Sequence, residues 1–394
     1  MTRTRYIVAC TQRNLAVADK KIIYLDNAAT TVVNNEVLET YNKAKELYFA
    51  NPSSIHIPGQ EASRMLEKAR AQILDVVGAK DKELIFTSGA TEANNLAIKG
   101  YCLKHQNRGK HIIVSQIEHP SVLECAKQLE EQFGFSVTYL PVESYGAVSV
   151  KALEKAIRKD TILVSIMAVN NEIGTINPIH EIHNLLSRYP LIALHVDVTQ
   201  GFGKIRLPYN DMDMFTFSGH KIHGLNSSGA LVKNKKIDLL PLFSGGGQEG
   251  GLRSGTNDVA LAISLAKATR LSFEKLDENY GKINAISQYF VNYVLANPDI
   301  YELNSGDNPY IVNFSSLTKK ASVIVEALSM KGVCVSSTSA CHAKDEPISY
   351  VVLALGKSEK IAHNTIRVSL SYNNTLDDIK TLIAELDKIV KEIK

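Results

Sequence analysis

The chain has 394 residues, of which 45% are hydrophobic and 22% are charged, and its formal net charge is +3. This length is too great for one compact core, so we expect two domains, and the composition is ordinary for a soluble globular protein. The small and scattered excess of positive charge excludes an electrostatic footprint for nucleic acid, and no stretch approaches the length of a membrane span.

The cysteines point to a reducing compartment. Five are present, an odd number without the spacing of a metal site, which argues against a disulfide framework and gives no metal ligands. We therefore predict a cytoplasmic protein. Arg3, Arg5 and Arg13 precede the first acidic residue, Asp19, which is a faint sign of a transit peptide. A frayed extension explains residues 1–20 better, because their apolar run is too short for a signal sequence.

Strand and helix patterns alternate from about residue 84 to residue 232. Short apolar runs rich in β-branched residues predict strands, and longer periodic stretches between them predict helices. This alternation is typical of a mostly parallel sheet with helices on both faces, and segment 228–232 is expected to be an antiparallel neighbour. The other predicted strands are 84–87, 111–115, 162–167, 191–197 and 212–217, and the helices are 91–100, 122–133 and 150–158.

Beyond residue 232 the pattern changes to a glycine-dense loop and a second α+β unit. Segment 243–257 is too rich in glycine for a regular element and is typical of a long functional loop. The C-terminal part then predicts a long helical stretch at 260–296, a strand at 310–314, a helix at 322–331 and a final helix from residue 376.

Two strand ends hold the residues that indicate the chemistry. Lys221 closes the sequence Phe217-Ser-Gly-His-Lys221 after one apolar run, and Asp197 closes the run before it. In α/β proteins the carboxyl edge of the sheet is where sites are found. An amine that is desolvated there becomes nucleophilic. A lysine and an acid on neighbouring strands suit pyridoxal phosphate, since the lysine holds the aldehyde and the acid keeps the pyridine nitrogen protonated.

Ten motifs follow one another along the chain in an order that chance does not explain. The motifs are Tyr24-Leu-Asp-Asn-Ala-Ala-Thr-Thr31, Asn51-Pro-Ser-Ser-Ile-His56, Phe86-Thr-Ser-Gly-Ala-Thr-Glu92, Glu118-His119, Asn170-Asn-Glu-Ile-Gly174, His195-Val-Asp-Val-Thr-Gln200, Ser218-Gly-His-Lys221, Arg253-Ser-Gly-Thr256, Ser339-Ala-Cys341 and Ile366-Arg367. Together they resemble the cysteine desulfurases of the class V aminotransferase superfamily, which are fold type I pyridoxal-phosphate enzymes, in the iron–sulfur-assembly subgroup. The resemblance covers about residues 22–390.

The resemblance implies a fold and a domain plan. The fold is α/β, with a mostly parallel seven-stranded sheet in a large domain and a smaller α+β domain. Residues 1–28 would form an N-terminal extension and a small-domain segment, 29–272 the large domain that binds pyridoxal 5'-phosphate, and 273–394 the small domain with a nucleophilic cysteine loop. A homodimer is also implied, and no metal.

A phosphate site is expected where a helix follows the first predicted strand. The backbone donors of Ala90 and the hydroxyl of Thr91 open this helix, where its positive end can hold a phosphate, although an ordinary capped turn has the same pattern. By resemblance, Ser218 and His220 add donors to this phosphate. Thr256 would reach it from the partner subunit, whereas the alternative for its glycine-rich loop is a flexible surface excursion.

The resemblance also assigns the residues around the cofactor ring and the substrate. His119 stacks on the ring and moves protons, and Asp197 pairs with the ring nitrogen, while their alternatives are a core histidine and a turn cap. Gln200 bonds to the phenolic oxygen, and Asn171 is a polar partner of both ring and substrate. Arg367, a charge inside an apolar strand-like run, does not stay unpaired and forks the substrate carboxylate.

By resemblance, Cys341 is the nucleophile that receives sulfur. It lies in a polar stretch of small residues that resembles a mobile loop, and His342 and Lys344 favour its thiolate form. Three departures from the family pattern bear on rate and acceptor choice. Thr338 replaces a glycine near Cys341, His342 stands where a small hydroxyl residue is frequent, and the usual Gly-Pro-Lys-Gly after the lysine motif is here Gly224-Leu-Asn-Ser227.

These residues predict a homodimeric cysteine desulfurase that converts L-cysteine to L-alanine and leaves a persulfide on Cys341. The sulfur acceptors would be proteins, an iron–sulfur scaffold or a tRNA-thiolation enzyme, without direct contact to nucleic acid or membrane. One alternative is a selenocysteine lyase or another class V aminotransferase, although an aminotransferase has no use for this cysteine. A second is a non-catalytic sulfur-assembly scaffold, against which the intact set of catalytic residues argues.

Overall fold

A computed structural model describes residues 22–337 and 348–392 of the chain. The predicted extension, 1–20, lies outside these ranges. Among the helices that the ranges contain, none is long and apolar enough to cross a membrane.

The described residues form strands and helices in an order that alternates through the first two thirds of the chain. The strands are β1 (Ile23–Tyr24), β2 (Lys82–Thr87), β3 (His111–Ser115), β4 (Ser136–Leu140), β5 (Thr161–Ser165), β6 (Ala193–Asp197), β7 (Met214–Ser218), β8 (Gly229–Asn234), β9 (Tyr301–Leu303), β10 (Ile311–Ser316), β11 (Val333–Cys334), β12 (Ser336–Ser337) and β13 (Thr365–Ser369). The helices are α1 (Asn35–Leu47), α2 (Ile57–Val76), α3 (Ala90–His105), α4 (Pro120–Phe133), α5 (Val150–Ala156), α6 (Ile179–Leu186), α7 (Val259–Glu274), α8 (Leu276–Leu295), α9 (Ala321–Met330), α10 (Tyr350–Ala354), α11 (Glu359–His363) and α12 (Leu376–Glu392).

The large sheet has seven strands in the order β2-β8-β7-β6-β5-β3-β4. Strands β4, β3, β5, β6 and β7 are parallel to one another, while β8 is antiparallel to both of its neighbours, β7 and β2. The prediction of a mostly parallel seven-stranded sheet with an antiparallel strand at 228–232 is therefore confirmed. Parallel order follows from the helical crossovers, because a strand can rejoin the sheet in the same direction only after such a connection.

Alternate residues of each central strand point into two different cores, so both faces of the large sheet are covered. Ile113 packs in one core, with residues such as Ile73, whereas Ile112 and Val114 pack in the other, with residues such as Leu129. All residues of β3, β5, β6 and β7 are buried. Such burial explains why these strands are continuous apolar runs in the sequence.

A second, antiparallel sheet of four strands has the order β12-β13-β10-β9. Its core contains Phe290 and Phe314, packs against α8, α9 and α12, and includes Leu25 from the beginning of the described chain. The adjoining strand β1 pairs in parallel with β11, and Asp26 bridges to Ser369 at the end of β13. The N-terminal segment thus belongs to this core, while the boundaries 1–28, 29–272 and 273–394 stay a prediction.

The long helical stretch predicted at 260–296 is in fact two helices. Helix α7 ends at Glu274 and α8 begins at Leu276, with Lys275 between them outside the helical region at φ −119° and ψ 26°. The acidic pair Asp277 and Glu278 lies in the first turn of α8. Negative side chains stabilise a helix N-terminus, which favours a new start at this point over a continuous helix.

Candidate active site at the carboxyl edge of the large sheet

The turn that follows β7 presents Lys221 at the carboxyl edge of the large sheet. A single 3-10 turn, Gly219–Lys221, follows the strand directly. A Cβ atom at the first position of the turn would overlap Ser228 Oγ, so only glycine fits this corner. The amine of Lys221 donates hydrogen bonds of 2.6 Å to the carbonyl oxygens of Ala28 and Ala29. Main-chain oxygens of the N-terminal segment therefore fix the position of the lysine.

Asp197 is the last residue of β6 and is 5% exposed. It pairs in register with Thr216 of β7, so Asp197 and Lys221 lie at the ends of neighbouring strands, as predicted. Its Oδ1 accepts a hydrogen bond from the Thr199 N–H at 2.9 Å, and its Oδ2 accepts one from Asn94 Nδ2 at 2.8 Å. Both oxygens of the carboxylate are therefore held in a fixed direction.

His119 is the N-cap residue of α4, and Pro120 at the first helical position fixes where that helix begins. Its Nδ1 accepts from the Ser121 N–H at 3.1 Å and lies 2.8 Å from Ser121 Oγ. Burial lowers the pKa of His119, with Asp197 acting in the opposite direction and Lys221 in the same one. The imidazole is thus a neutral ring whose remaining proton sits on Nε2.

Gln200 and Lys204 form a second polar pair beside the lysine. Gln200 donates through Nε2 to the carbonyl oxygen of Ala28 at 3.0 Å, and its Oε1 accepts from Lys204 Nζ at 3.1 Å. Burial, followed by the charges of Lys221 and Arg367, lowers the pKa of Lys204 to about 7. Several cationic groups therefore share this region, which makes it favourable for anions.

The N-terminus of α3 lies against the end of β7. Its N-cap residue, Gly89, makes no side-chain capping bond and has a φ of 149°, which residues with side chains rarely adopt. The Ala90 N–H donates to Ser218 Oγ at 2.7 Å, while Thr91 in the same turn is exposed. Burial, reinforced by the two neighbouring lysines, lowers the pKa of His220 to about 4. An uncapped helix end beside hydroxyl and imidazole groups can hold a phosphate.

Arg367 lies on β13, where it is 8% exposed. It forms an ion pair with Asp26, with Nη2 2.9 Å from Oδ1, and its Nη1 donates to the carbonyl oxygen of Asn171 at 2.9 Å. The expectation that this charge does not stay unpaired is therefore confirmed. Within residues 22–337 and 348–392, Arg367 Nε and Asn171 Oδ1 are buried polar atoms without a hydrogen-bond partner.

Comparison with known proteins places this arrangement in a family. The chain matches the model of the family Aminotransferase class-V over residues 23–382. The chain belongs to this family. At 39% identity over 380 residues, it is similar to the cysteine desulfurase IscS of Dictyoglomus turgidum, with 95% of this chain and 96% of that protein covered.

Solved structures of the family share the fold. A structure described as a NifS-like protein matches with a TM-score of 0.87 at 33% identity, over 94% of this chain and 100% of that chain. A structure of SspA in complex with cysteine matches with a TM-score of 0.76 at 36% identity, over 89% of this chain and 99% of that one. The fold class and the family resemblance predicted from the sequence are therefore confirmed.

The placement of two predicted site residues differs from that of the others. Thr256 is exposed and lines a cavity of about 200 Å³ together with Ser88 and Arg253, and Lys221 is not among the residues that line this cavity. Cys341 lies outside the described residues, as do Thr338, His342 and Lys344.

The described cysteines do not favour a thiolate. Cys102 and Cys125 are buried, and Cys334 is partly buried. Burial raises the pKa of Cys102 well above its ordinary value, that of Cys125 to about 12, and also that of Cys334. A thiol in these surroundings is a packing group and a poor nucleophile.

Sequence reasoning missed several residues that hold the predicted ones in place. Asn94 contacts Asp197, Lys204 contacts Gln200, and Asp26 contacts Arg367. Asn94 had a usable signal, because it is a polar residue in a helix face otherwise made of Ala93, Leu96 and Ala97. Asp26 had none, because its partner Arg367 lies 341 residues away and the contact depends on tertiary structure alone. Lys204 is only four residues from Gln200, but the pair lies on a turn without periodicity, so no pattern identifies it.

A buried histidine next to the lysine turn makes stability depend on pH. His223 is 6% exposed, has a φ of 60°, and its Nδ1 lies 2.8 Å from the carbonyl oxygen of Val32. Burial lowers the pKa of His223 to about 4, with the Val32 carbonyl opposing this shift and Lys204 adding to it. The unfolded chain binds a proton here below about pH 6.5, so stability is lost as the pH falls from there towards 4.

We therefore expect His223→Asn to flatten the pH dependence of unfolding. Asparagine tolerates a positive φ and keeps a donor for the Val32 carbonyl, but it does not titrate. The slope of the free energy of unfolding should fall by about 1.4 kcal/mol per pH unit between roughly pH 6.5 and 4, measured by urea unfolding. His183→Asn, on the half-exposed side of α6, serves as the control. Parallel curves for wild type and His223→Asn would contradict the assignment.

Proposed function

We propose that this class-V aminotransferase family member is a pyridoxal-phosphate-dependent cysteine desulfurase, which converts L-cysteine to L-alanine and collects the sulfur on Cys341. The observation that carries the proposal is the pairing of Lys221 and Asp197 at the ends of two adjacent parallel strands. Similarity to a cysteine desulfurase over nearly the whole chain supports the same reaction.

The residues present fit the cofactor. Three polar atoms that lack partners among the described residues, Asn171 Oδ1, Thr199 Oγ1 and Arg367 Nε, are buried around Asp197 or the substrate side of the site. Buried polar atoms of this kind call for a bound group, since leaving them unpaired is costly. Asp197 would hold the ring nitrogen, Gln200 the phenolic oxygen and His119 the face of the ring. Ala90, Thr91, Ser218, His220 and a partner subunit's Thr256 would hold the phosphate.

The cofactor, when bound, supplies an electron sink for the pair of electrons left at the substrate Cα. Lys221, whose amine stands at the end of β7, would hold the cofactor aldehyde and would move the Cα proton. Arg367 would bind the substrate carboxylate, helped by Asn171. His119, neutral and with its proton on Nε2, would donate a proton at the substrate sulfur or carbon.

The sulfur step needs a separate nucleophile. The thiolate of Cys341 would attack the substrate sulfur, so that an S–S bond forms and the C–S bond breaks. The electron pair of the broken bond stays with carbon, which takes up a proton and leaves as alanine. None of Cys102, Cys125 and Cys334 suits this role, because burial raises the pKa of each thiol.

The electrostatics of the site suit the anions that this reaction uses. Lys204 lies close enough to Lys221 and Arg367 for both charges to act on its pKa. A phosphate, a carboxylate and a thiolate would each relieve this concentration of positive charge. These cationic groups would thus favour a substrate carboxylate or thiolate and an anionic cofactor.

Two surface features support a homodimer. Leu47, Phe49, Ile55 and Ile57, between the end of α1 and the start of α2, are large apolar residues that are 67–91% exposed. A contiguous stretch of this kind marks an interaction surface. Thr256 is exposed as well, which suits a residue that completes the partner's site.

We also propose a cytoplasmic location, with an iron–sulfur scaffold or a tRNA-thiolation enzyme as sulfur acceptor.

The role of Lys221 can be tested on the purified protein. Reduction with borohydride should fix pyridoxal phosphate covalently to Lys221, and peptide mapping should find the label there. Lys221→Ala should lower alanine production from cysteine by about 10²–10⁴-fold, because a proton-transfer group is removed. Lys204→Met, which alters a second buried lysine nearby, should keep the label on Lys221. A label at Lys204, or a protein that binds no cofactor, would refute the assignment.

Substitution of Cys341 distinguishes sulfur transfer from cofactor binding. Cys341→Ala should still bind pyridoxal phosphate and respond to cysteine by a change of colour, yet lose sulfide and alanine production, because no thiol takes the sulfur. Wild-type protein given cysteine without reductant should gain about 32 Da per sulfur at Cys341, measured by mass spectrometry of peptides. Cys102→Ala and Cys125→Ala are the controls. Undiminished turnover by Cys341→Ala would overturn the mechanism, and activity retained only on selenocysteine would favour a lyase.

Shared active sites make a mixing experiment decisive. Thr256→Ala should weaken cofactor retention, and Lys221→Ala should abolish activity. If Thr256 serves the partner's site, mixed dimers of the two variants contain one unaltered site, so random mixing should restore roughly a quarter of the wild-type sites. No recovery on mixing, in a sample shown to have exchanged subunits, would mean that Thr256 serves the site of its own chain.

A further inference from the structure

We propose that Asn94 is a positioning residue that sets two catalytic groups at once, the carboxylate of Asp197 and the imidazole of His119. The proposal rests on the proposed function, because Asp197 and His119 are the residues that would hold the cofactor ring. Its basis is a set of hydrogen bonds that joins the first turns of α3 and α4 to the ends of β6 and β7.

Asn94 uses its whole side-chain amide. It is fully buried on α3, and its Nδ2 donates to Asp197 Oδ2 at 2.8 Å and to Ser121 Oγ at 2.9 Å. Its Oδ1 accepts from the hydroxyl of Thr216. The two N–H bonds and the oxygen of the amide are therefore all satisfied by buried partners. Removal of any one partner is costly, because it leaves a buried polar atom without a hydrogen bond.

The direction of the amide follows from its neighbours. A reversed amide would turn Oδ1 towards the carboxylate of Asp197, so that two acceptors would face each other at 2.8 Å. In the observed orientation the Thr216 hydroxyl donates and the carboxylate accepts. Thr216 is the register partner of Asp197, so one pair of adjacent strands supplies both groups that orient Asn94.

The same amide determines what Ser121 can do. Ser121 Oγ accepts from Asn94, which leaves its own proton for His119 Nδ1 at 2.8 Å. The Ser121 N–H already makes Nδ1 an acceptor, so the hydroxyl is a second donor to the same nitrogen, and the ring proton lies on Nε2. Asn94 therefore acts on the histidine through Ser121 and on the aspartate directly.

A buried histidine closes the far end of this chain of hydrogen bonds. His195 Nε2 lies 3.4 Å from Thr216 Oγ1, and His195 Nδ1 lies 2.8 Å from Ser165 Oγ. Because the Thr216 proton is committed to Asn94, His195 must donate to Thr216 and accept from Ser165. Every proton from Ser165 to His119 thus has one assigned place, and Asn94 is where the chain branches to Asp197.

The substitution Asn94→Asp tests this assignment with almost no change in shape. It places a second carboxyl group against Asp197, and two carboxylates at that distance must share a proton. It also turns the side chain at position 94 into an acceptor, so the Ser121 hydroxyl must donate to it and can no longer donate to His119. Asn95→Asp is the matched control, because Asn95 is adjacent and half-exposed and bonds only to the Thr91 carbonyl among the hydrogen bonds described.

The hydrogen bond from the Ser121 hydroxyl to His119 can be tested by nitrogen NMR of the histidines in the cofactor-free protein. The Nδ1 resonance, assigned with His119→Gln, should move in Asn94→Asp and in Ser121→Ala by similar amounts, because both remove the hydroxyl donor. It should stay in place in Asn95→Asp. This measurement needs no cofactor and no activity, so it stands even if the proposed reaction is wrong. An unmoved Nδ1 resonance in Asn94→Asp would refute the branch through Ser121.

The hydrogen bond from Asn94 to Asp197 is tested on the protein with pyridoxal phosphate bound. In Asn94→Asp the pH dependence of the visible absorption band should shift, and kcat should fall about ten-fold or more, as expected for a lost bond to a charged group, with a smaller change in KM for cysteine. Ser121→Ala should leave the band unshifted, since it spares the contact to Asp197. Asn94→Asp with a band and a kcat like those of Asn95→Asp would overturn the proposal. A wild-type protein without cofactor or turnover would instead refute the proposed function.

Discussion

The site depends on one short stretch of backbone, residues 26–31, that passes between the two sheets. At one end Asp26 pairs with Arg367 on the small sheet, and at the other the Thr31 N–H donates to the carbonyl oxygen of His220. Between them the carbonyl oxygen of Ala28 accepts from both Lys221 and Gln200. Because one stretch touches groups from both cores, Arg367 and Lys221 keep a fixed position relative to each other.

The strands of the large sheet bring functional side chains to one edge, and the helices add further polar side chains there. Adjacent parallel strands bring Asp197 and Lys221 to one edge, where the first turns of α3 and α4 add Asn94 and His119. Polar groups this deeply buried persist only when each has a partner. The hydrogen bonds around Asn94 meet this condition for Asn94 itself and for both oxygens of Asp197, while the positive charges near Lys204 are balanced only when anions bind.

The parts that the sequence predicts are those with local causes. Continuous apolar runs predict β3, β5, β6 and β7, because burial on both faces demands them, and the strand ends then locate Asp197 and Lys221. The edge strand β4 was not predicted, since Leu140 is its one fully buried residue and it lacks such a run. The contacts of Asn94 with Asp197 and of Arg367 with Asp26 join residues more than a hundred positions apart, which no local pattern encodes.

The acceptors that hold Lys221 are main-chain oxygens, and this has a consequence for which substitutions the anchor tolerates. A substitution at position 28 or 29 changes a side chain but leaves the carbonyl that receives the amine, so the contact depends on the path of the backbone and not on the residue type. Ala28 is buried and limited in size, whereas Ala29 is exposed at the same point. Position 29 can therefore carry a larger or polar side chain at the surface beside the lysine while the lysine keeps its anchor.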